Sequence, residues 1–306
     1  MNKVIFKGVL DGVVVDRIAR DGEYTMPAVH FHNEYEIYYL FEGARYYFIG
    51  NKTYPINKGN LVLVDANQIH KTSAFGKGAH DRFLAEIAPG PFSDFFENVC
   101  GMPLQNLFDD YSGVWVLDAN EQRYAESLMF SMMDEFTERR SYYQNVAMMR
   151  LAELALLVTR LRAGSRAASG ATLSDAPKHA QIQRITEYIS NNYNKVKTLA
   201  EICEHFYISK SHLCRIFKDV TGFTVQEYIN MYCIKEARQL LEESDFNVSE
   251  ISSALGYGTV THFERVFKKY TETSPLKYRQ KMRLIRQKVR ERKKENGLAN
   301  QGDVDE

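Results

Sequence analysis

The chain of 306 residues has four cysteines, Cys100, Cys203, Cys214 and Cys233. None stands in a Cys-x-x-Cys pair, and the last three fall at predicted helix positions. That usage points to a reduced, cytoplasmic setting. No run of about 18 apolar residues occurs, so no membrane span is expected. The first residues, MNKVIFKGVLDG, lack the long apolar core of a secretory signal, and none is expected. No Gly-x-Ser-x-Gly elbow is present, nor a Gly-x-x-x-x-Gly-Lys phosphate loop, so two common catalytic classes lose their signatures. No catalytic residue is assigned, and no enzyme is expected.

Net charge is also absent, because 39 bases balance 39 acids. The average hides an asymmetry. Residues 178–294 hold 22 Lys/Arg and 13 Asp/Glu, a net of +9, and residues 1–177 hold 17 and 22, a net of −5. Residues 295–306 hold four acids and no base. A basic segment of this kind seeks a polyanion, and the acidic half does not.

Residues 1–118 read as short strands. Apolar and polar residues alternate over Glu36–Phe41 and Arg45–Ile49, and turns fall at Glu42-Gly43, Gly50-Asn51 and Lys58-Gly59-Asn60. Regular short strands predict a barrel or sandwich. After Asp118 the period changes to that of helices, over Glu121–Arg140 and Tyr143–Arg162. In the second helix Val146, Met149, Leu154, Leu157 and Leu161 can lie along one side. These helices either cover the strands or pair with a second subunit. Gly164–Pro177 is a linker by composition, and helical sequence resumes at His179.

The helical half contains a duplication. Glu201-Ile202 stands 49 residues before Glu250-Ile251, and Leu213, Arg215, Phe217 and Lys218 stand 50 residues before Phe263, Arg265, Phe267 and Lys268. Thr224 and Tyr228 likewise stand 50 before Ser274 and Tyr278. Each copy reads as helix, tight turn, helix, the geometry that places a short helix in the major groove. The first copy opens on Thr198 followed by Glu201, a capping pattern. Its second helix turns Leu213, Ile216 and Phe217 inward and leaves Lys210, Ser211, His212, Arg215 and Lys218 outward or flanking. The second copy turns Phe263, Val266 and Phe267 inward. Thr259 caps that helix, and Thr261, His262, Arg265, Lys268 and Lys269 are left outside. Lys and Arg supply attraction to phosphate, and Arg adds bidentate contact to guanine. A solvated basic face would explain one copy, but not two in register.

On these residues, segment 180–282 resembles the DNA-binding domain of AraC/XylS-type transcriptional regulators. The resemblance is carried by Leu199–Ile202, Ser209–Lys218, Gly222–Thr224, Ala237–Leu241, Val248–Ile251, Leu255–Tyr257, Phe263–Lys269 and Ser274–Arg279. It implies seven helices, with a long one near Val225–Glu243 bridging the two units. It implies base readers at Ser211, Arg215, Thr261 and Arg265, with Lys210 and His262 beside them. Two positions depart from the family pattern: Cys233 where Arg is usual, and Glu272 where Gly is usual. Weaker or more tuned binding is expected from them.

The first half carries His30-x-His32-x3-Glu36-x6-Gly43, then Pro55, Gly59 and His70. On a regular strand His30, His32 and Glu36 project to one side, and His70 can join them from a later strand. This spacing resembles the cupin motifs. Three imidazoles and a carboxylate are donors for Zn²⁺, Mn²⁺ or Fe²⁺. In AraC-type sensors the resemblance implies instead a small-molecule effector, commonly a sugar or related metabolite, held by His30, His32, Glu36, Tyr38 and His70. Tyr46, Tyr47 and Phe48 add surfaces that suit a sugar ring. The effector reading is preferred, no cofactor is expected, and a metal at the four residues is the alternative.

The expected fold class is therefore α+β in two domains: a cupin-like β-barrel with trailing helices, then an all-α tandem helix-turn-helix domain. The expected boundaries are 1–118 for the barrel, 119–163 for the helical support or dimer segment, 164–177 for the linker, 178–284 for the DNA-binding domain and 285–306 for a basic then acidic tail. The expected function is a bacterial, ligand-sensing DNA-binding regulator, more often an activator than a repressor. Promoter DNA, a small effector, RNA polymerase and a second copy of the chain are its expected partners. A metal-dependent cupin enzyme carrying a DNA-binding domain is the rival.

Overall fold

Period-two alternation builds nine strands in the computed structural model, which describes residues 2–22, 32–75, 78–161, 177–195, 198–284 and 287. His30, the expected linker apart from Pro177, and all but Gln287 of the expected tail lie outside the described residues. Strands β1 (Asn2–Leu10) and β2 (Val13–Arg20) form a hairpin through Gly12, whose φ of 73° suits the turn. They are followed by β3 (Tyr35–Glu42), β4 (Ala44–Ile49), β5 (Lys52–Asn57), β6 (Asn60–Val64), β7 (His70–Ala74), β8 (His80–Ile87) and β9 (Gly113–Val116). A six-stranded sheet runs β1-β2-β8-β3-β6-β9, and a three-stranded sheet runs β5-β4-β7. Every pairing is antiparallel. Among the described residues, the strands of the expected barrel fall into two sheets.

The two faces of the large sheet have different work. Val13, Val15, Ile37, Tyr39, Leu61, Leu63, Phe83 and Ala85 share one core with the helices. Residues one step out of phase, Tyr38, Leu40, Val62, Val64 and Leu84, share a second core with Tyr47, Ile49 and Ile56 of the small sheet. The two sheets therefore face each other across Tyr38 and Tyr47. Both faces are covered, so β3 is buried along its whole length before Glu42. Each large apolar side chain so buried contributes about 1.5–3 kcal/mol.

Four helices follow the strands: α1 (Pro91–Cys100), α2 (Leu104–Tyr111), α3 (Ala119–Glu138) and α4 (Tyr143–Arg160). A reciprocal box starts α3: the Asp118 carboxylate accepts from the Asn120 and Glu121 N–H groups, and the Glu121 carboxylate accepts from the Asp118 N–H at 2.7 Å. The α3–α4 pair covers the large sheet through Met129, Met132, Leu151 and Leu154. One expectation needs correction. Met149 is 53% exposed, whereas the expected Leu154 and Leu157 are buried, and the buried residues of α4 are Ala147, Leu151, Ala152, Leu154, Ala155, Leu157 and Val158. Small alanines let the helix approach its neighbours, so the true stripe includes residues that a search for large apolar groups passes over.

The remaining helices are α5 (Pro177–Asn192), α6 (Leu199–His205), α7 (Lys210–Thr221), α8 (Val225–Glu243), α9 (Val248–Ala254) and α10 (Val260–Thr271), with residues 275–284 also helical. Among the described residues these make the seven helical segments that the resemblance implies. The chain divides into two compact units, one of residues 1–187 with 211–223 and the other of residues 188–210 with 224–306. In the second unit the Asn247 side chain caps α9, and Tyr278 donates to Glu242 at 2.6 Å. Phe263 meets Phe267 at a tilt and Phe267 meets Tyr278 edge to face there, with ring centroids 5.7 and 5.6 Å apart.

Candidate DNA-reading helices and a buried histidine–glutamate pocket

The duplication is visible in the pattern of exposure. Over 211–219 the order is two exposed, one buried, two exposed, two buried, two exposed, and over 261–269 it is the same. Leu213, Ile216 and Phe217 are buried in α7, as are Phe263, Val266 and Phe267 in α10. All eleven predicted DNA-contacting residues are exposed: Lys210, Ser211, His212, Arg215 and Lys218 on α7 and its start, and Thr259, Thr261, His262, Arg265, Lys268 and Lys269 on α10 and its cap. The Arg215 guanidinium lies 3.1 Å from His212 Nδ1, so the two side chains share one turn of the helix. Thr259 Oγ1 accepts from the His262 N–H at 3.2 Å, which fixes the start of α10. Thr198 Oγ1 accepts from the Glu201 N–H at 3.3 Å and donates to its carboxylate at 3.1 Å.

Hydrogen bonds repeat as well, a feature that the sequence reading missed. Thr221 Oγ1 donates to the Phe217 carbonyl at 2.7 Å, and Thr271 Oγ1 donates to the Phe267 carbonyl at 2.9 Å. Beyond each threonine the chain turns left-handed. Gly222 has φ 81° and its N–H reaches the Lys218 carbonyl at 2.9 Å; Glu272 has φ 58° and its N–H reaches the Lys268 carbonyl at 2.9 Å. The second copy thus places a carboxylate side chain where the first uses glycine. Cys233, the other departure, is buried in α8, and burial pushes its thiol up to about 12.

Between the two sheets, His32, Glu36 and His70, three of the four residues named for the alternative metal site, converge. Glu36 of β3 is 2% exposed. Its Oε1 lies 2.9 Å from His32 Nε2 and 3.2 Å from His70 Nε2, and its other oxygen accepts from the Tyr47 hydroxyl at 3.2 Å. His32 also meets Glu34 through Nδ1 at 3.1 Å. Burial opposes charge on His32, but hydrogen bonds to Glu34 and Glu36 outweigh it and hold its pKa up at about 10. Burial likewise opposes charge on Glu36; the two histidines prevail and keep it far below the usual carboxylate range. His30 lies outside the described residues. Tyr38 and Tyr47 face this interior with rings 5.3 Å apart, whereas Tyr46 projects from the opposite face of β4 and stacks 4.4 Å from His179.

The donor set fits a divalent cation. His32, Glu36 and His70 each offer one ligand atom, all within 4.8 Å of one another. The His70 Nδ1–H donates to the Gln68 carbonyl at 2.8 Å, which turns the Nε2 lone pair toward Glu36. Two acceptors that close need a proton or a cation between them. A cavity of about 460 Å³ opens beside the group, with His32, Glu34, Glu86 and Val14 among its lining residues.

The sequence reading also missed a second polar group in this interior. Arg20 of β2 stands directly across from His80 of β8, with Nη1 and Nε2 3.5 Å apart. Arg45 of β4 is 2% exposed and shares its face with Tyr47 and Ile49. Arg82 bonds Asp16 across the same two strands. Alternation marks these residues as sharing a face, but it does not say that the face is turned inward.

Comparisons with known proteins agree with this division of labour. Residues 13–84 match the family described as AraC-like ligand binding domain, and residues 202–281 match a helix-turn-helix domain family. The chain is 23% identical over 277 residues to the melibiose operon regulatory protein of Escherichia coli K12, covering 84% of each. It is 24% identical over 249 residues to the transcriptional activator RhaS of Yersinia pestis, covering 80% of this chain and 86% of that one. Among solved structures, fatty-acid-bound ToxT of Vibrio cholerae aligns over 87% of this chain and 94% of its own at 16% identity, with a TM-score of 0.36. Among the described residues no helix is long and apolar enough to cross a membrane.

Proposed function

The chain is an AraC-family transcriptional regulator with a ligand-binding domain, and we propose that it acts as an activator whose DNA binding answers to a small polar metabolite held between the two sheets. The observation that carries the DNA half is the matched exposure of α7 and α10, with Arg215/Arg265 and Lys218/Lys268 in register. The effector half is supported by the converging His32, Glu36, His70 and Tyr47, a hydrogen-bonding set able to orient a hydroxylated molecule. The names of the melibiose and RhaS relatives fit a sugar-related effector. A ligand shifts the population of DNA-binding arrangements only by its difference in affinity between them. RNA polymerase is the partner that activation requires, and the α3–α4 face, with Tyr124 and Met149 exposed, is where a second copy would pair.

The test is binding of the full chain, at fixed salt, to the duplex upstream of its own reading frame and to unrelated duplexes. Preference for the former, relaxed in Arg215→Ala and Arg265→Ala at different half-sites, supports the reading. Uniform affinity across sequences makes the protein an architectural binder and defeats it. A thermal-shift screen of sugars and related metabolites on the full chain tests the effector, with Glu36→Gln expected to remove the response.

A second reading is favoured by the shared approach of His32, Glu36 and His70. In it the three hold Zn²⁺, Mn²⁺ or Fe²⁺, and the domain descends from or still acts as a metal-dependent cupin enzyme. Stoichiometric metal in the purified protein, lost in His32→Ala, favours it. A metal-free protein that still answers to a metabolite excludes it.

A further inference from the structure

The small sheet has an outer face as well as the inner one that lines the pocket. Alternation along β7 and β4 sorts the residues. His70 pairs with Ile49 and Thr72 with Tyr47 on the pocket side; Lys71 pairs with Phe48 and Ser73 with Tyr46 on the other. A sheet face turned away from its own core is ordinarily solvated. Here Phe48 is 1% exposed and Lys71 8%. Helices of the DNA-binding half lie against this face. On α5, the His179 ring lies 4.4 Å from that of Tyr46, and Thr186 Oγ1 donates to the Asn51 carbonyl at 2.9 Å. At the end of α7, the Phe223 ring centre lies 5.9 Å from Lys71 Nζ. The Lys71 side chain also runs over Gly222, so close that a Cβ there would overlap its Nζ, Cε and Cδ. Gly222 thus meets two demands: its φ of 81° ends α7, and its bare Cα admits Lys71.

All of these residues belong to one compact unit, which takes in 211–223 but not the second reading helix. In the other unit, α10 packs on α8 and α9. The second copy cannot be gripped in the same way, because Glu272 stands at the end of α10 where Gly222 ends α7. Lys210, Ser211, His212, Arg215 and Lys218 stay exposed, so the contact does not mask the reading face. It fixes α7 by its last turn instead. A helix fixed to the sensor is not free to follow its twin onto one duplex.

We infer that Lys71 and the outer face of the small sheet form an autoinhibitory brace on the first reading helix, and that β7 connects this brace to the pocket. His70 and Lys71 are neighbours on one strand, the first facing Glu36 and the second Gly222. A ligand that moves His70 moves the strand whose next side chain holds α7, and it has no such route to α10. The effector therefore governs the first half-site and leaves the second alone, through its difference in affinity between the braced and released states. This rests on the reading of the chain as an effector-responsive DNA-binding regulator.

The full chain is titrated at fixed salt into its upstream duplex and into two altered duplexes, each lacking the half-site that Arg215→Ala or Arg265→Ala identifies. Lys71→Ala should tighten binding to the intact duplex by about fivefold or more, the lower end of common coupling between sites. The gain should persist without the half-site read by Arg265 and vanish without the one read by Arg215. In hydrogen exchange the amides of 220–223 should exchange faster in Lys71→Ala, with those of 270–273 unchanged. His70→Ala should quicken the same amides while Lys71 is present and add nothing in the Lys71→Ala background. Should Lys71→Ala not fold, Thr186→Val, which drops the bond to Asn51, decides by the same two readouts. Affinity unchanged or weakened, a gain shared by both half-sites, or exchange at 220–223 indifferent to either substitution overturns the inference. Each of those outcomes is read on a wild type that distinguishes the duplexes. A wild type that binds all three alike defeats the regulator reading itself, and the inference falls with it.

Discussion

Mild acid should destabilise the first unit through two buried histidines. His80 and His179 are each 3% exposed. Burial, then nearby cations, lowers both from the ordinary 6.5 to about 4; the cations are Arg45 and Arg20 for His80 and Lys178 for His179. A base whose pKa is depressed by folding is protonated first in the unfolded chain. Its stabilising contribution is therefore intact above pH 6.5 and is lost as pH falls toward 4. Between pH 7 and pH 5 each histidine should cost about 2 kcal/mol, and the pair about 4 kcal/mol. Domains commonly have a total of about 5–15 kcal/mol, so the loss is large. Trp115, the chain's one tryptophan, is 4% exposed in the core beneath α3 and α4 and reports on this unit. Urea unfolding followed by its fluorescence at both pH values gives the loss directly. His80→Gln and His179→Gln should each reduce the pH-dependent difference by about 2 kcal/mol, whatever they do to absolute stability. Burial pushes the Glu86 carboxyl up, and hydrogen bonds hold His32 up at about 10; both work in the opposite direction, and both cancel when the variants are compared with wild type. An identical pH 7 to pH 5 loss in wild type and both variants would refute the reasoning.

Other perturbations test the DNA-reading helices and their supports. Arg215→Ala or Arg265→Ala should lose about 1–3 kcal/mol of discrimination at one half-site, read by competition between operator variants. Lys218→Ala or Lys268→Ala should weaken binding to all sequences and reduce the log–log salt slope by about 0.9 for each phosphate contact removed. Glu272→Gly should stabilise the second unit by about 0.5–1 kcal/mol in denaturant unfolding, because it relieves a left-handed residue at the end of α10. Phe263→Ala should cost about 3–5 kcal/mol by opening a cavity under α10, and DNA binding should fall with the folded fraction.

Much of the architecture was legible because its signals are local. The Val225–Glu243 helix has the bounds that the AraC/XylS resemblance implied, and the structure adds a reciprocal cap of Thr224 and Glu227 at its start. The strands at 35–42 and 44–49 were legible from alternation and from Gly43, whose φ is 91° where the chain reverses. The pocket was half legible. The motif named His32, Glu36 and His70, but Arg20, Arg45 and His80 belong to no motif. Both faces of the large sheet are buried, so hydrophobicity does not say which face is turned toward the small one. That depends on the pairing of strands distant in sequence, such as β2 with β8. Ala147 and Ala155 were missed for a related reason: their value lies in the close approach they permit, which appears only once the neighbours are in place.

The two copies of the helix-turn-helix unit separate what folding demands from what a partner demands. Buried positions agree because each copy needs a core: Leu213 answers Phe263, Ile216 answers Val266, and Phe217 answers Phe267. That agreement would survive in a purely structural repeat. Exposed positions carry no such demand, since substitutions there usually change stability by less than about 0.5 kcal/mol. Cys214 and Glu264 show that freedom, because they occupy the same register with unrelated chemistry. Arg215/Arg265 and Lys218/Lys268 stand beside them, equally exposed, and keep both identity and spacing. Among the described residues these four are exposed in both copies, so burial does not require that they match. The proposed function supplies the demand instead, because duplex DNA offers phosphates and base edges at a regular repeat to such helices.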